Sequence, residues 1–339
     1  MPATKKAALR VRHADGAQQS QEPGAELGEV DFGTGYYRKL FTYFGVGEDG
    51  RIAASELVAR LRESGVSDTD PRVTEVWAAL RRGVDIDGRS RIDLDRFIGL
   101  CKLGGGVVAK SIRGDFVIPD FGTLQTEISG IYESLRRVGG HVADYIPQLG
   151  RVDPEKFGIA LCTTDGQRFA VGDADTLFCA QSVCKPVNYG LTLEEHGADV
   201  VHRHVGREPS GRGFNELTLN SDGLPHNPMI NSGAIMSCSL IRPQQDTADR
   251  FDYVAETWRR LSGGGTVGFN NAVYLSERRA ADRNFALGYF MREHGSFPGG
   301  TDLVETLEFY FQRCSIEVDA RSLSAVAASP ACTALLAPA

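Results

Sequence analysis

The period of the hydrophobic pattern changes partway along this 339-residue chain, and a chain with two periods needs two unlike packing units. From Tyr36 to about Leu103 apolar residues recur three and four positions apart: Leu40, Phe41 and Phe44, then Leu57, Val58 and Leu61, then Val73, Val76, Trp77 and Leu80. This spacing predicts a small helical bundle. Gly104, Gly105 and Gly106 break it, and FVIPDF at 116–121 predicts an extended connector into a helix through Ile128, Ile131 and Leu135. After Gly139-Gly140 the runs GIALCTT (158–164) and QRFAV (167–171) flank Asp165-Gly166, which predicts a β-hairpin. Mostly helices are expected beyond it, interrupted by a Gly-, Asn- and Pro-rich loop from Gly206 to Pro228 whose length points to function. Residues 1–30 have no period and are expected to stay disordered.

Composition narrows the chemistry. With 37 basic and 44 acidic residues the net charge is −7, so no basic excess exists to neutralise nucleic acid or an anionic bilayer. No apolar run reaches the roughly 18 residues of a membrane-spanning helix. Seven cysteines without a C-x-x-C pair fit neither a disulfide framework nor a zinc cluster, so no metal is expected on them.

The bundle contains two segments that resemble calcium-binding loops. Gly50 at the central glycine position brings Asp49 and Glu56 into register, but Gly45 and Gly47 stand where the first carboxylates belong. With Gly88 at that position, Asp85 and Asp87 fit while Gly83 and Leu94 do not. Each loop is short of oxygen ligands, so a helix pair that keeps the shape without the metal is expected. A calcium-responsive adaptor built on Asp85, Asp87 and Glu56 is the minor alternative.

The chemistry concentrates in FCAQSVCKP at 178–186. Pro186 lacks an N–H and is tolerated only in the first turn of a helix, so the helix starts close to Ser182 and its positive end faces the hydroxyl. Lys185 lies three residues on, one turn along the same face, where a lysine of lowered pKa can take the serine proton. Alone the pair means little: with 21 serines and 7 lysines, about 0.4 such spacings arise by chance. Cys179 and Cys184, beside it, read as packing residues.

Six ordered blocks supply the context: DYIPQL (144–149), QSVCKP (181–186), PHNPMINSGAI (225–235), SER (276–278), DRNFA (282–286) and FYFQ (309–312). Together they closely resemble the animal phosphate-activated glutaminases of the kidney and liver types, from about Leu40 to Ser324. The resemblance implies an α+β fold, a β-lactamase-like serine hydrolase domain preceded by an EF-hand-like helical bundle. It divides the chain into a tail (1–30), the bundle (31–110), a linker with its helix (111–140), the catalytic domain (141–328) and a divergent end (329–339). It implies hydrolysis of L-glutamine to L-glutamate and ammonia, with Ser182 as nucleophile and Lys185 as its base. Tyr145, Gln181, Asn231, Glu277, Asn284 and Tyr310 line the substrate pocket by the same resemblance, Glu277 pairing with the α-ammonium. Taken singly, each of these has a bland reading as a packing, capping or solvated residue; only their joint order favours a site.

The resemblance further implies a mitochondrial tetramer without a cofactor and with phosphate as activator. A cytosolic location is the alternative, because Lys5, Lys6, Arg10 and Arg12 form no clear presequence. Two departures stand out. Thr218 replaces an aromatic in the loop matching the family's gating loop, GRGFNELT at 211–218. The family's later elements, among them a tyrosine and a Lys-Ser-Gly segment, have no counterpart after residue 328, and no lysine follows Lys185. The sequence reading is therefore a C-terminally truncated glutaminase whose own turnover is in question. Its alternative is an inactive regulatory subunit that joins full-length chains as a hetero-oligomer. The hairpin is expected to lean on helices alone.

Overall fold

The computed structural model describes residues 33–68, 70–82 and 90–336, with side chains described as far as 329. In the N-terminal unit, α1 (Gly33–Phe41), α2 (Ala54–Glu63), α3 (Thr74–Arg81), α4 (Leu94–Leu103) and α5 (Val107–Arg113) surround one core. Leu40, Leu57, Leu61, Val76, Leu80 and Phe97 meet there, as their helical spacing requires. The glycines at 104–106 end α4 but not the bundle. Gly105 and Gly106 turn through positive φ, and α5 then packs Val108 and Ile112 into the same core, which reaches Phe116.

The short strands β1 (Ile52–Ala53) and β2 (Arg91–Ile92) pair antiparallel through Ile52 and Ile92. The Arg91 guanidinium reaches Asp49 Oδ1 at 3.0 Å and the Arg51 carbonyl at 2.6 Å. The protein's own cation thus engages the loop carboxylate that a bound ion would need. Asp85, Asp87 and Gly88, the second loop, lie outside the described residues.

The predicted connector and its helix, α6 (Phe121–Leu135), lead to β3 (Gly158–Cys162) and β4 (Arg168–Gly172), which form the predicted hairpin with Ile159 opposite Val171 and Leu161 opposite Phe169. Among the described residues no third strand joins it. The hairpin packs against α14 (Ala320–Leu336) and α6, where Tyr132 stacks on Phe157 at 5.5 Å. Its turn docks on the N-terminal unit. Gln167, fully buried, donates to the Ser64 carbonyl at 3.0 Å and the Ile118 carbonyl at 2.9 Å, and accepts from the Ile118 N–H at 3.1 Å. Arg72 donates to the Asp165 carbonyl at 2.7 Å.

The remaining elements are β5 (Phe178–Cys179), α7 (Cys184–His196), α8 (Ala198–Val201), α9 (Asn231–Leu240), α10 (Thr247–Leu261), β6 (Val267–Phe269), α11 (Asn271–Arg279), α12 (Asp282–Glu293), α13 (Leu303–Cys314) and β7 (Ile316–Val318). The elements beyond the hairpin are mostly helical, as expected, and three short strands among them pair as the sheet β5-β7-β6. Strands of two or three residues are too short to show a period. Helix α9 is buried along its length from Ser232 to Leu240, and α7, α12 and α13 pack around it. A Cβ at Gly233 would run into the Asn227 carbonyl, so only glycine fits there. Helix α14 continues unbroken across position 329, where the sequence reading set a boundary.

Arg313 is the anomaly of this core. Its guanidinium is fully buried between the Phe309 and Phe251 rings, 4.2 and 4.8 Å away, and its nitrogens have no hydrogen-bond partner. Burial pushes its pKa down to about 10.

Two stability measurements test this packing. Gln167→Ala leaves the Ser64 carbonyl and the Ile118 peptide without side-chain partners, and should cost about 2 kcal/mol in urea unfolding. Arg313→Leu removes an unpaired buried cation and should stabilise the chain by about 1 kcal/mol, an unfolding midpoint moving upward rather than down.

Candidate active site

The segment carrying Ser182 is fixed at both ends. Upstream, β5 pairs with β7, and the Ala180 N–H donates to the Ile316 carbonyl at 2.7 Å. Gln181 then takes φ of +49°, a left-handed conformation that costs a non-glycine residue of order 1 kcal/mol or more. A 3₁₀ turn over Gln181–Val183 runs directly into α7. The helix starts where Pro186 predicted, with the proline inside its first turn. Ser182 is exposed at this entrance, and Lys185, one turn on, is buried.

Lys185 Nζ donates to Asn231 Oδ1 at 2.8 Å. Asn231, the first residue of α9, donates through Nδ2 to Asn284 Oδ1 on α12 at 3.1 Å. Its backbone N–H donates to the Phe214 carbonyl at 2.8 Å. The Phe214 ring, itself exposed, stands 5.7 Å from the lysine nitrogen. Desolvation lowers the Lys185 pKa, and the Cys184 and Cys314 thiols oppose this in part. Such an amine gives up its proton more readily than an exposed lysine. Among the described residues the Ser182 hydroxyl makes no hydrogen bond, so the serine and lysine share one turn without a direct bond. Loose nucleophile contacts of this kind are common before substrate arrives.

A second group faces the entrance. Tyr145 donates its hydroxyl hydrogen to Gln181 Oε1 at 2.7 Å, which leaves the Gln181 amide N–H₂ free to point elsewhere. Gln181 Nε2 and Glu277 Oε1 are both buried without a hydrogen-bond partner. Burial holds the Glu277 carboxyl above its usual pKa range, and the nearby Gln181 side chain offsets this in part. Tyr145 is raised by desolvation and by the Glu277 charge. Tyr310, on α13, is buried, and burial followed by the neighbouring Cys314 and Cys184 thiols raises its phenol well above the ordinary value.

The structure thus joins Lys185, Asn231 and Asn284 in one hydrogen-bonded chain and gathers Tyr145, Gln181 and Glu277 beside it. Tyr310 is buried in the core near Cys314 and Cys184. Cys184 is fully buried in the core, and burial pushes the half-buried Cys179 thiol up to about 12, so neither is poised as a nucleophile. Cys101, Cys162, Cys179, Cys184, Cys238 and Cys314 are free, and among the described residues no group of three or more His, Cys, Asp or Glu could hold a metal ion. No described helix is long and apolar enough to cross a membrane. Two features of the site escaped the sequence reading. The strained Gln181 backbone has no local signature, since glutamine is no turn former. Phe214 was visible only as part of the long loop, with nothing to aim it at Lys185.

Comparison with known proteins places this geometry. The glutaminase family model matches residues 140–336 and an EF-hand domain model matches residues 38–119. Putative glutaminase 2 of Caenorhabditis elegans is 39% identical over 313 residues, which cover 89% of this chain and 52% of that protein. The mitochondrial liver isoform of glutaminase from Rattus norvegicus is 38% identical over 293 residues, covering 86% and 48%. A solved probable glutaminase superposes with a TM-score of 0.59 at 28% identity, covering 63% of this chain and 69% of that one. Mglu in its tris and glutamate form does so with a TM-score of 0.56 at 34% identity, covering 60% and 46%. The chain spans about half the length of the curated relatives it matches. On sequence, fold and the ordered site residues together, this chain belongs to the glutaminase family, with an EF-hand domain at its N-terminal end.

Proposed function

We propose that this site hydrolyses the side-chain amide of L-glutamine, giving L-glutamate and ammonia through an acyl intermediate on Ser182. The observation that carries the reading is the desolvated Lys185 amine, one turn after Ser182 and held by Asn231. In the neutral form it takes the hydroxyl proton as Ser182 Oγ attacks the δ-carbonyl carbon. The start of α7 directs its positive end toward the oxyanion that forms. The proton passes to the departing nitrogen, the C–N bond breaks and ammonia leaves. Water then adds to the ester, the bond to Oγ breaks, glutamate departs and Ser182 regains its proton.

The buried Glu277 carboxylate, with Oε1 unpartnered and no basic side chain beside it, fits a cation such as the substrate α-ammonium. Asn231 and Asn284 offer side-chain N–H groups for the α-carboxylate, and Tyr145 orients Gln181 beside them. The relative solved in a glutamate form supports the product class. A mitochondrial location, self-association and activation by phosphate belong to the same reading, and the relatives named as mitochondrial support the first of these.

Ammonia release from L-glutamine by the purified 339-residue chain tests the reaction. Turnover should fall at least about 10³-fold in both Ser182→Ala and Lys185→Ala. A wild-type chain that releases no ammonia, or a Ser182→Ala variant that keeps the activity, would falsify the assignment. The pH profile of kcat/KM provides a second check. Lys185 must be neutral and its pKa is lowered, so the rate should climb with pH to a plateau whose midpoint lies below the ordinary lysine value of 10.5. Glu277 must be ionised and its pKa is raised, so a further loss should appear on acidification at a pH above 4.5. Glu277→Gln should abolish that acid limb while raising KM.

A further inference from the structure

Helix α11 carries Glu277, yet little apolar packing holds it in place. Its buried residues are Val273, Ser276 and Glu277, so one fully buried apolar side chain and the half-buried Tyr274 anchor nine residues. Leu275, and Val304 on α13, are each half exposed. A hollow of about 380 Å³ lies there, lined by Leu275, Arg278, Arg279, Phe285, Val304 and Glu308. Apolar contact does not fix α11 on this side.

Polar bonds supply the rest. At the start of the helix, Asn270 Oδ1 accepts from the Val273 N–H at 3.0 Å, and Asn270 Nδ2 donates to Glu317 Oε1 on β7 at 2.9 Å. Further along, Glu308 of α13 takes two hydrogen bonds from α11. Tyr274 Oη donates to its Oε2 at 2.6 Å, and Arg278 Nε donates to its Oε1 at 2.6 Å. Tyr274 and Arg278 are four positions apart and so share one face of the helix. The Arg278 side chain is 57% exposed but that of Glu308 only 18%, which shelters the pair from the screening that makes open surface ion pairs nearly worthless. Burial, followed by the Glu308 charge, raises the Tyr274 phenol and keeps it protonated as the donor. Glu277 has no comparable tether. Its Oε1 is buried without a hydrogen-bond partner, so the carboxylate goes where α11 takes it.

We propose that Glu308 is a positioning residue for the substrate ammonium: by gripping Tyr274 and Arg278 it fixes the roll and depth of α11, and with them the place of the Glu277 carboxylate. Glu308 itself touches no substrate. The inference rests on the glutamine reading, in which Glu277 receives the α-ammonium, while the grip on α11 stands apart from it. The ammonium is unchanged between bound substrate and transition state, so the grip acts on binding and not on the chemical step.

Kinetics and amide hydrogen exchange on the 339-residue chain test it together. Glu308→Ala should raise KM for L-glutamine at least about five-fold while kcat stays within about two-fold of wild type. In a Glu277→Gln background the same substitution should change KM less than about two-fold, because the group it acts through is already gone. Arg259→Gln, which removes an exposed ion pair on α10, should match wild type. Amides of α11 should exchange at least about ten-fold faster in Glu308→Ala at an unchanged unfolding midpoint. Circular dichroism checks folding, and Glu308→Gln, which keeps one acceptor oxygen, replaces Glu308→Ala if that variant unfolds. A wild-type chain without turnover removes the glutamine reading and leaves exchange to judge the grip, faster exchange upholding it. A kcat loss at unchanged KM, an equal KM rise in the Glu277→Gln background, or wild-type exchange in α11 overturns the proposal.

Discussion

The 2.8 Å hydrogen bond from Lys185 Nζ to Asn231 Oδ1 ties the exposed entrance of α7 to α9, a helix buried from Ser232 to Leu240. A buried amine needs acceptors, and Asn231 supplies one at the only kind of place where a polar residue enters an apolar core cheaply, a helix end. Asn284 then orients the asparagine from α12, and the Phe214 carbonyl holds its peptide N–H from the long loop. One contact thereby couples α7, α9, α12 and the loop, so the lysine cannot move without disturbing all of them.

Strain and unmet hydrogen bonds gather around that contact. Gln181 holds a left-handed backbone, and Gln181 Nε2 and Glu277 Oε1 lie buried and unpartnered nearby. A site with buried unpaired polar groups is disposed to bind a ligand carrying the complementary charges. Arg313 is a different case. Its guanidinium is buried among aromatic rings with no polar partner, and the site geometry makes no use of it.

Much of the fold was legible because it follows a period. Leu40, Leu57, Leu61, Val76 and Leu80 have helical spacing and share one core, and Ile159 to Val171 form the hairpin around Asp165-Gly166. What the pattern missed was short or long-ranged. The strands at 178–179, 267–269 and 316–318 are too brief to show alternation, and Phe178 pairs with Val318 and Val267 with that same Val318 across long stretches of chain. The glycines at 104–106 looked like a boundary because glycine ends helices; α5 nevertheless returns to the same core because Val108 and Ile112 have nowhere else to bury. The Asp49 loop looked merely short of ligands. That Arg91 engages its carboxylate depended on the β1–β2 pairing, which sets Arg91 opposite Ala53 and lets its side chain reach the Arg51 carbonyl and Asp49.

The sequence by itself determined the residue types of the site, the helix start beside Ser182 and the family, because these rest on local rules: a proline in the first turn, a lysine one turn on, and blocks in a fixed order. The tertiary structure alone decided that Lys185 is desolvated, that Asn231 rather than Ser182 takes its hydrogen bond, and that Tyr145 orients Gln181. It also decided that Tyr274 and Arg278 meet on Glu308. Burial and hydrogen-bond partnership are properties of neighbours brought together through space, and residues 34, 46 or 53 positions apart carry no local sign of meeting.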